Sequence, residues 1–187
     1  MSGGYIRDTI LSKEAIEEAK EYYRSKTWDE TWQYFNLFHM QRIDIPTQDY
    51  DLKFLKELHT YSRKSHNIGC YFLKYVPGSF CRIHMDNDSE VTTVTLLESN
   101  NLVGGECLIE GEYQPPTYNR PSDHTCKRCN QEVERPPYGL GIVPDIVKLK
   151  DGESMVYGPE LRHGVTRVYE GERVVLIAWF KNGERTR

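Results

Sequence analysis

His84, Asp86 and His163 are the residues whose types and spacing carry the most chemistry in this chain. In an extended strand, residues two apart point to the same face, so His84 and Asp86 present an imidazole nitrogen and a carboxylate oxygen to one point. His163, far downstream, supplies a third donor. Two histidines and one carboxylate on one side of a metal leave the opposite positions open, which suits a non-haem Fe(II) that must still bind a cosubstrate and dioxygen. A closed structural zinc site would fill its fourth position with Cys or His. The H-x-D tripeptide alone is a weak signal, because short patterns of common residues arise by chance and a surface His or Asp is ordinarily just solvated.

Arg173 lies ten residues beyond His163 and opens the most strand-like segment of the chain, Arg173-Val174-Val175-Leu176-Ile177-Ala178-Trp179-Phe180. Alternation puts Arg173, Val175, Ile177 and Trp179 on one face. A guanidinium buried at the start of an apolar strand needs an anionic partner, and no acidic residue follows within the strand. A bound dicarboxylate would supply one, since Arg grips a carboxylate bidentately while the ligand's other end chelates a metal.

The elements that must position these residues read as strand, turn, strand. Gly69 to Tyr75 is rich in aromatic residues, Val76-Pro77-Gly78 is a turn signal, and Ser79 to Ile83 leads into His84. Val91 to Leu97 has the β-branched, apolar character of a buried strand. Gly104-Gly105-Glu106 predicts a tight turn before Cys107-Leu108-Ile109. Glu153 to Tyr157 predicts a short strand ending at Gly158-Pro159, with His163-Gly164-Val165 after the turn, and Glu170-Gly171-Glu172 predicts a hairpin-like turn.

The first part of the chain differs. Ser12 is a candidate N-cap for a helix over Lys13 to Lys26, and Leu52, Leu55 and Leu58 stripe a second helix over Asp49 to Lys64. Both stripes read as packing against a sheet. Between them Trp28, Trp32, Tyr34, Phe35, Phe38 and His39 form an aromatic cluster that is either core or a lid over the site mouth. His39, His59, His66 and His124 have no carboxylate or histidine at chelating distance in sequence and read as structural or exposed.

Gln114 to Pro144 is polar and rich in proline, and holds Cys126-Lys127-Arg128-Cys129 beside His124. Those three residues would give a zinc ion three ligands, with the fourth from Cys107, another residue or a partner chain; the alternative is a surface loop with idle, reduced cysteines. At 187 residues the chain is long enough to enclose one core, filled by thirteen tyrosines, six phenylalanines and three tryptophans. A net charge of −4 gives no field for nucleic acid or an anionic membrane. No segment is apolar enough to span a bilayer, Met1 to Tyr5 lacks the apolar core of a signal peptide, and an odd count of five cysteines points to a reducing, cytoplasmic interior. The G-x-S-x-G, Walker and dinucleotide patterns are lacking.

As a set, Tyr75-Val76-Pro77-Gly78, His84-x-Asp86, Gly104-Gly105-Glu106, His163 and Gly171-Glu172-Arg173 leading to Trp179 resemble the 2-oxoglutarate- and Fe(II)-dependent dioxygenases, in their prolyl 4-hydroxylase-like branch. The resemblance runs from about Gly69 to Phe180. It implies that His84, Asp86 and His163 hold Fe(II), that Arg173 anchors the distal carboxylate of 2-oxoglutarate, and that Tyr75 lines the cosubstrate pocket. One extra residue, Val76, separates that tyrosine from the proline. A second tyrosine that some prolyl hydroxylases carry after the metal motif falls near Thr95 and Leu96 here and is missing or replaced. The nucleic-acid demethylase branch places a second arginine where this chain has Trp179.

The expected fold is mainly β, a double-stranded β-helix (jelly roll) core with N-terminal flanking α-helices. One domain would fill residues 1–187, with mainly helical support in 1–65, the jelly roll in 66–182 and a polar insertion in 114–144. The expected activity is hydroxylation of a C–H bond, in a prolyl or other residue of a protein or peptide, using Fe(II), 2-oxoglutarate and O2, with ascorbate as an optional addition, and giving succinate and CO2. The alternatives are hydroxylation of a free amino acid or other small molecule, a metal-binding jelly roll without oxygenase activity, and an interaction module centred on the insertion.

Overall fold

The computed structural model describes residues 4–33, 38–109 and 145–182; Tyr34, Phe35 and the 114–144 segment with His124, Cys126 and Cys129 lie outside them. In chain order the elements are β1 (Tyr5–Asp8), α1 (Lys13–Arg24), β2 (Asp29–Gln33), β3 (Phe38–Asp44), α2 (Lys53–Ser62), β4 (His66–Tyr75), β5 (Phe80–His84), β6 (Val91–Gly104), β7 (Cys107–Ile109), β8 (Asp145–Val147), β9 (Ser154–Tyr157), β10 (His163–Val165) and β11 (Val168–Lys181). All strand pairs are antiparallel, in the order β1-β9-β6-β11-β4-β3-β5-β10-β7-β8, with β2 on β3. β3 pairs with β4 through Gln41–Asp44 and with β5 through Phe38–His39, so the sheet curls over at β3 and its two halves face each other. This is the expected mainly β jelly roll.

Alternation along the long strands builds two cores, one on each face. On β11, Val174, Leu176, Ala178 and Phe180 join Cys70 and Phe72 of β4 and the helix residues Ala15, Ala19, Tyr23, Phe54, Leu55 and Leu58. Val175 of β11 joins Tyr71, Leu73 and Tyr75 of β4, Val94 and Leu96 of β6, and Cys107 of β7 on the concave side. The helices therefore cover the back of the larger half, and the space between the halves is left for the site.

The two helices cap each other. Ser12 Oγ accepts from Ala15 N at 3.2 Å, as expected of an N-cap, while Glu57 of α2 accepts from Ser12 N and Oγ at 2.7 and 2.8 Å. In return Glu18 of α1 accepts from Phe54 N at 3.1 Å. That exchange fits an α2 that begins at Lys53 and not at Asp49: the orphan Phe54 N–H finds its acceptor on α1, and Asp49 instead accepts from Tyr22 Oη at 2.6 Å at the end of a 3-10 turn over Thr47–Asp49.

One turn expected from sequence is absent. Glu170-Gly171-Glu172 lies inside β11, where the register against β6 shifts on both sides of Glu170. Gly171 has φ +72°, and a Cβ there would run into the Asn100 and Asn101 carbonyls. The residue signal for a turn and for a glycine bulge is the same, because both need a left-handed backbone.

Candidate metal centre

β5 ends at His84 and β10 begins at His163, and the two residues are directly opposite each other in the antiparallel register. Cross-strand pairing thus brings the imidazoles together, with ring centroids 4.4 Å apart. Gly164 allows this approach: a Cβ there would lie 2.7 Å from the Cys81 carbonyl oxygen and 3.0 Å from Ile83 N. Asp86 follows just past the end of β5, still on the same side. Its Oδ1 lies 3.4 Å from His84 Nε2 and its Oδ2 3.6 Å from His163 Nε2. Among the described residues this is the cluster whose donor atoms, all within 4.8 Å of one another, are arranged to share one metal ion.

Backbone carbonyls fix which nitrogen of each ring is offered. His84 Nδ1 lies 2.9 Å from the Arg82 carbonyl oxygen and His163 Nδ1 3.0 Å from that of Leu161. Each Nδ1–H donates to its carbonyl, so each Nε2 points at the shared centre. Burial, and then the neighbouring His84 charge, push the His163 pKa down to about 4, leaving a neutral ring with a free lone pair. Burial alone would raise Asp86, yet hydrogen bonds with His84 and Tyr157 and the His84 charge lower it, so it is a carboxylate. Burial opposes charge on His84 too, but Cys81 and Asp86 outweigh it and its pKa is raised. An incoming cation takes the place of that proton against Asp86.

Arg173 faces the same cavity, which encloses about 320 Å³. The side chain is 4% exposed. Its Nη1 donates to the Gly105 carbonyl oxygen, and Nη1 and Nη2 lie 3.9 and 3.8 Å from Cys107 Sγ. Its Nε has no hydrogen-bond partner, and among the described residues no carboxylate pairs with it. Tyr75, opposite Arg173 in the β4–β11 register, lays its ring 5.1 Å from the guanidinium carbon. The Tyr75 phenol is buried, and burial pushes its pKa well up, so it is a neutral donor. The five residues expected from sequence to hold iron and 2-oxoglutarate, His84, Asp86, His163, Arg173 and Tyr75, line this one cavity.

No known family profile matches the sequence, and no curated protein matches it. Solved structures do match the fold. A prolyl-4-hydroxylase from Pseudomonas putida is 17% identical, with 97% of this chain and 94% of that one covered and a TM-score of 0.60. HygX from Streptomyces hygroscopicus, with nickel and 2-oxoglutarate bound, is 12% identical, with coverage of 98% and 84% and a TM-score of 0.62. A prolyl hydroxylase from Trichoplax adhaerens, in complex with a hypoxia inducible factor peptide fragment, is 14% identical, with coverage of 95% and 84% and a TM-score of 0.55. The chain has the fold of the 2-oxoglutarate/Fe(II) oxygenases.

Within this oxygenase fold the remaining sequence candidates divide. His39 is buried with Nδ1 3.3 Å from the Gly78 carbonyl oxygen, and His59 stacks on Phe180 with centroids 5.8 Å apart, so both are structural. Cys107, a candidate fourth zinc ligand, lies against Arg173 inside the cavity. Of the aromatic cluster, Trp28 packs on Tyr23 at 5.7 Å, while Phe38 meets the His84 ring edge-on at 5.1 Å and lines the cavity. Thr95 pairs its hydroxyl with Ser154 at 2.7 Å and Leu96 joins the apolar interior, so neither places a phenol in the site.

A phenol arrives from elsewhere. Tyr157, the last residue of β9, brings its hydroxyl 3.1 Å from Asp86 Oδ2 and 2.9 Å from His163 Nε2. Sequence reasoning passed over it because a tyrosine ahead of Gly158-Pro159 is an ordinary strand end; its distance from both ligands follows only from the pairing of β9 with β6. Gly105, expected in a turn from sequence, also holds Arg173 in place through its carbonyl.

Proposed function

We propose that the protein is a 2-oxoglutarate- and Fe(II)-dependent dioxygenase that hydroxylates a C–H bond of a prolyl or other residue in a protein or peptide. The observation that carries this reading is Arg173: a buried guanidinium without a carboxylate partner among the described residues, facing the same cavity as a two-histidine, one-carboxylate cluster. A cation buried without an anion is costly, and a dianionic cosubstrate removes that cost.

The donor set fits the metal. Two imidazole nitrogens, that of His84 once the cation has displaced its proton, and one carboxylate form the facial arrangement that ferrous oxygenases use. When bound, Fe(II) with 2-oxoglutarate and O2 supplies the oxidising chemistry: one oxygen atom goes to the substrate C–H bond, the other to succinate, and CO2 leaves. The chain's residues do the positioning. Arg82 and Leu161 carbonyls orient the two rings, Arg173 takes the distal carboxylate, and Tyr75 offers its phenol and ring beside the guanidinium. Leu73, Val94 and Val175 form an apolar wall that keeps bulk water out of the cosubstrate's end of the cavity. A metal-binding jelly roll without oxygenase activity would leave Arg173 without a role.

The peptide preference is supported by the peptide complex among the similar folds, and the three buried free cysteines, Cys70, Cys81 and Cys107, suit a reducing compartment such as the cytoplasm. No helix among the described residues is long and apolar enough to cross a membrane. Zinc on His124, Cys126 and Cys129, which lie outside the described residues, is a separate proposal. The test is a screen of iron-loaded protein with 2-oxoglutarate against proline-containing peptides and free amino acids, read as succinate release and gain of one oxygen atom in the product. Succinate release coupled to a hydroxylated peptide supports the reading. A hydroxylated free amino acid with unmodified peptides replaces the substrate class, and no turnover by protein that binds both iron and 2-oxoglutarate overturns the activity.

A further inference from the structure

We propose that Tyr157 is a positioning residue for the metal centre, donating its proton to Asp86 Oδ2 when a metal ion occupies His163 Nε2, and so leaving Oδ1 for the ion. The inference rests on the functional reading only in needing a metal ion on the three ligands; it needs no 2-oxoglutarate.

The hydroxyl touches two acceptors, His163 Nε2 at 2.9 Å and Asp86 Oδ2 at 3.1 Å. His163 Nδ1 is committed to the Leu161 carbonyl, so Nε2 carries a lone pair. A phenol has one proton to donate and can serve one of these acceptors at a time. In the metal-free protein it caps Nε2, the nearer acceptor. A cation on Nε2 takes that lone pair away, and the proton has Oδ2 as its remaining acceptor. A carboxylate whose second oxygen is held by a donor is kept from turning both oxygens onto the ion. A one-oxygen grip leaves open the positions that a chelating cosubstrate and a third small ligand need. Tyr157 is 4% exposed, so water has little room to take over its hydrogen bonds.

The test uses the full chain, stripped of metal, with Mn(II) and Co(II) as probes. Tyr157→Phe keeps the ring and removes the hydroxyl. The expected results are Mn(II) binding weakened about 10- to 100-fold, and a Co(II) visible spectrum whose intensity differs from wild type because the coordination changes. Wild-type Mn(II) affinity together with a wild-type Co(II) spectrum in Tyr157→Phe would show that the ring merely packs, and the inference falls. A measurement on the unaltered chain stands in if the variant does not fold: Mn(II) binding should produce a tyrosine near-ultraviolet difference signal as the phenol changes acceptor, and a flat difference spectrum at saturation overturns the inference. Wild type that binds neither ion removes this inference and the functional reading together, whereas bound ions with an unaltered variant remove this inference alone.

Discussion

The two faces of β11 separate what holds this protein together from what it uses. On the helix side, Val174, Leu176, Ala178 and Phe180 are at most 1% exposed and meet only apolar groups or aromatic rings. On the concave side, Arg173 Nε and Trp179 Nε1 are buried donors with no hydrogen-bond partner among the described residues. Unmet buried donors are rare in folded proteins because each costs on the order of 1–3 kcal/mol. On the helix side the Tyr23 hydroxyl is also unmet among the described residues, but it is neutral and packed into the core; on the cavity side the unmet group belongs to a full charge, Arg173, beside open space that something other than the chain can fill.

Breaking either face should leave the other intact. Asp86→Ala gives the largest effect: it removes the anion between two imidazoles, so saturable Mn(II) or Fe(II) binding is lost in calorimetry, while the thermal midpoint of the metal-free protein changes little. Phe72→Ala attacks the opposite face. Phe72 is fully buried, with ring centroids 5.5 to 5.9 Å from Tyr22, Tyr23 and Phe54. Its truncation should cost about 3–5 kcal/mol in denaturant unfolding, with metal affinity of the folded fraction unchanged. Arg173→Met keeps bulk and removes the charge. Its 2-oxoglutarate binding should weaken by about 2–5 kcal/mol, and its stability without cosubstrate should hold or rise, since a buried cation short of partners is gone. The smallest effect belongs to Glu57→Ala, which removes the carboxylate that accepts from Ser12: a loss of about 1 kcal/mol in unfolding, with metal and cosubstrate binding at wild-type values. A stability loss in Arg173→Met, or a metal-binding loss in Phe72→Ala, would break the division.

The same two faces were unequally legible in the sequence. The apolar β-branched runs over Val91–Leu97 and Arg173–Phe180 declare strands whichever face they bury, and His84, Asp86, His163 and Arg173 stand out because their chemistry is expensive to bury without purpose. What stayed hidden depends on pairing between distant segments. His163 falls opposite His84 only because Gly164 lets β10 close onto β5, and Tyr157 reaches Asp86 only because β9 lies beside β6. Glu18 and Glu57 look like solvated helix charges until each helix's first turn is set against the middle of the other. Glu170-Gly171-Glu172 misleads because a positive φ serves a bulge as well as a turn.

The most direct test of a site completed by metal and cosubstrate is anaerobic visible absorption as Fe(II) and then 2-oxoglutarate are added to wild type, His84→Ala and Arg173→Ala. A metal-to-ligand charge-transfer band should form in wild type, vanish in His84→Ala and need more 2-oxoglutarate in Arg173→Ala. Folded, iron-loaded wild type that shows no band with excess 2-oxoglutarate would contradict it.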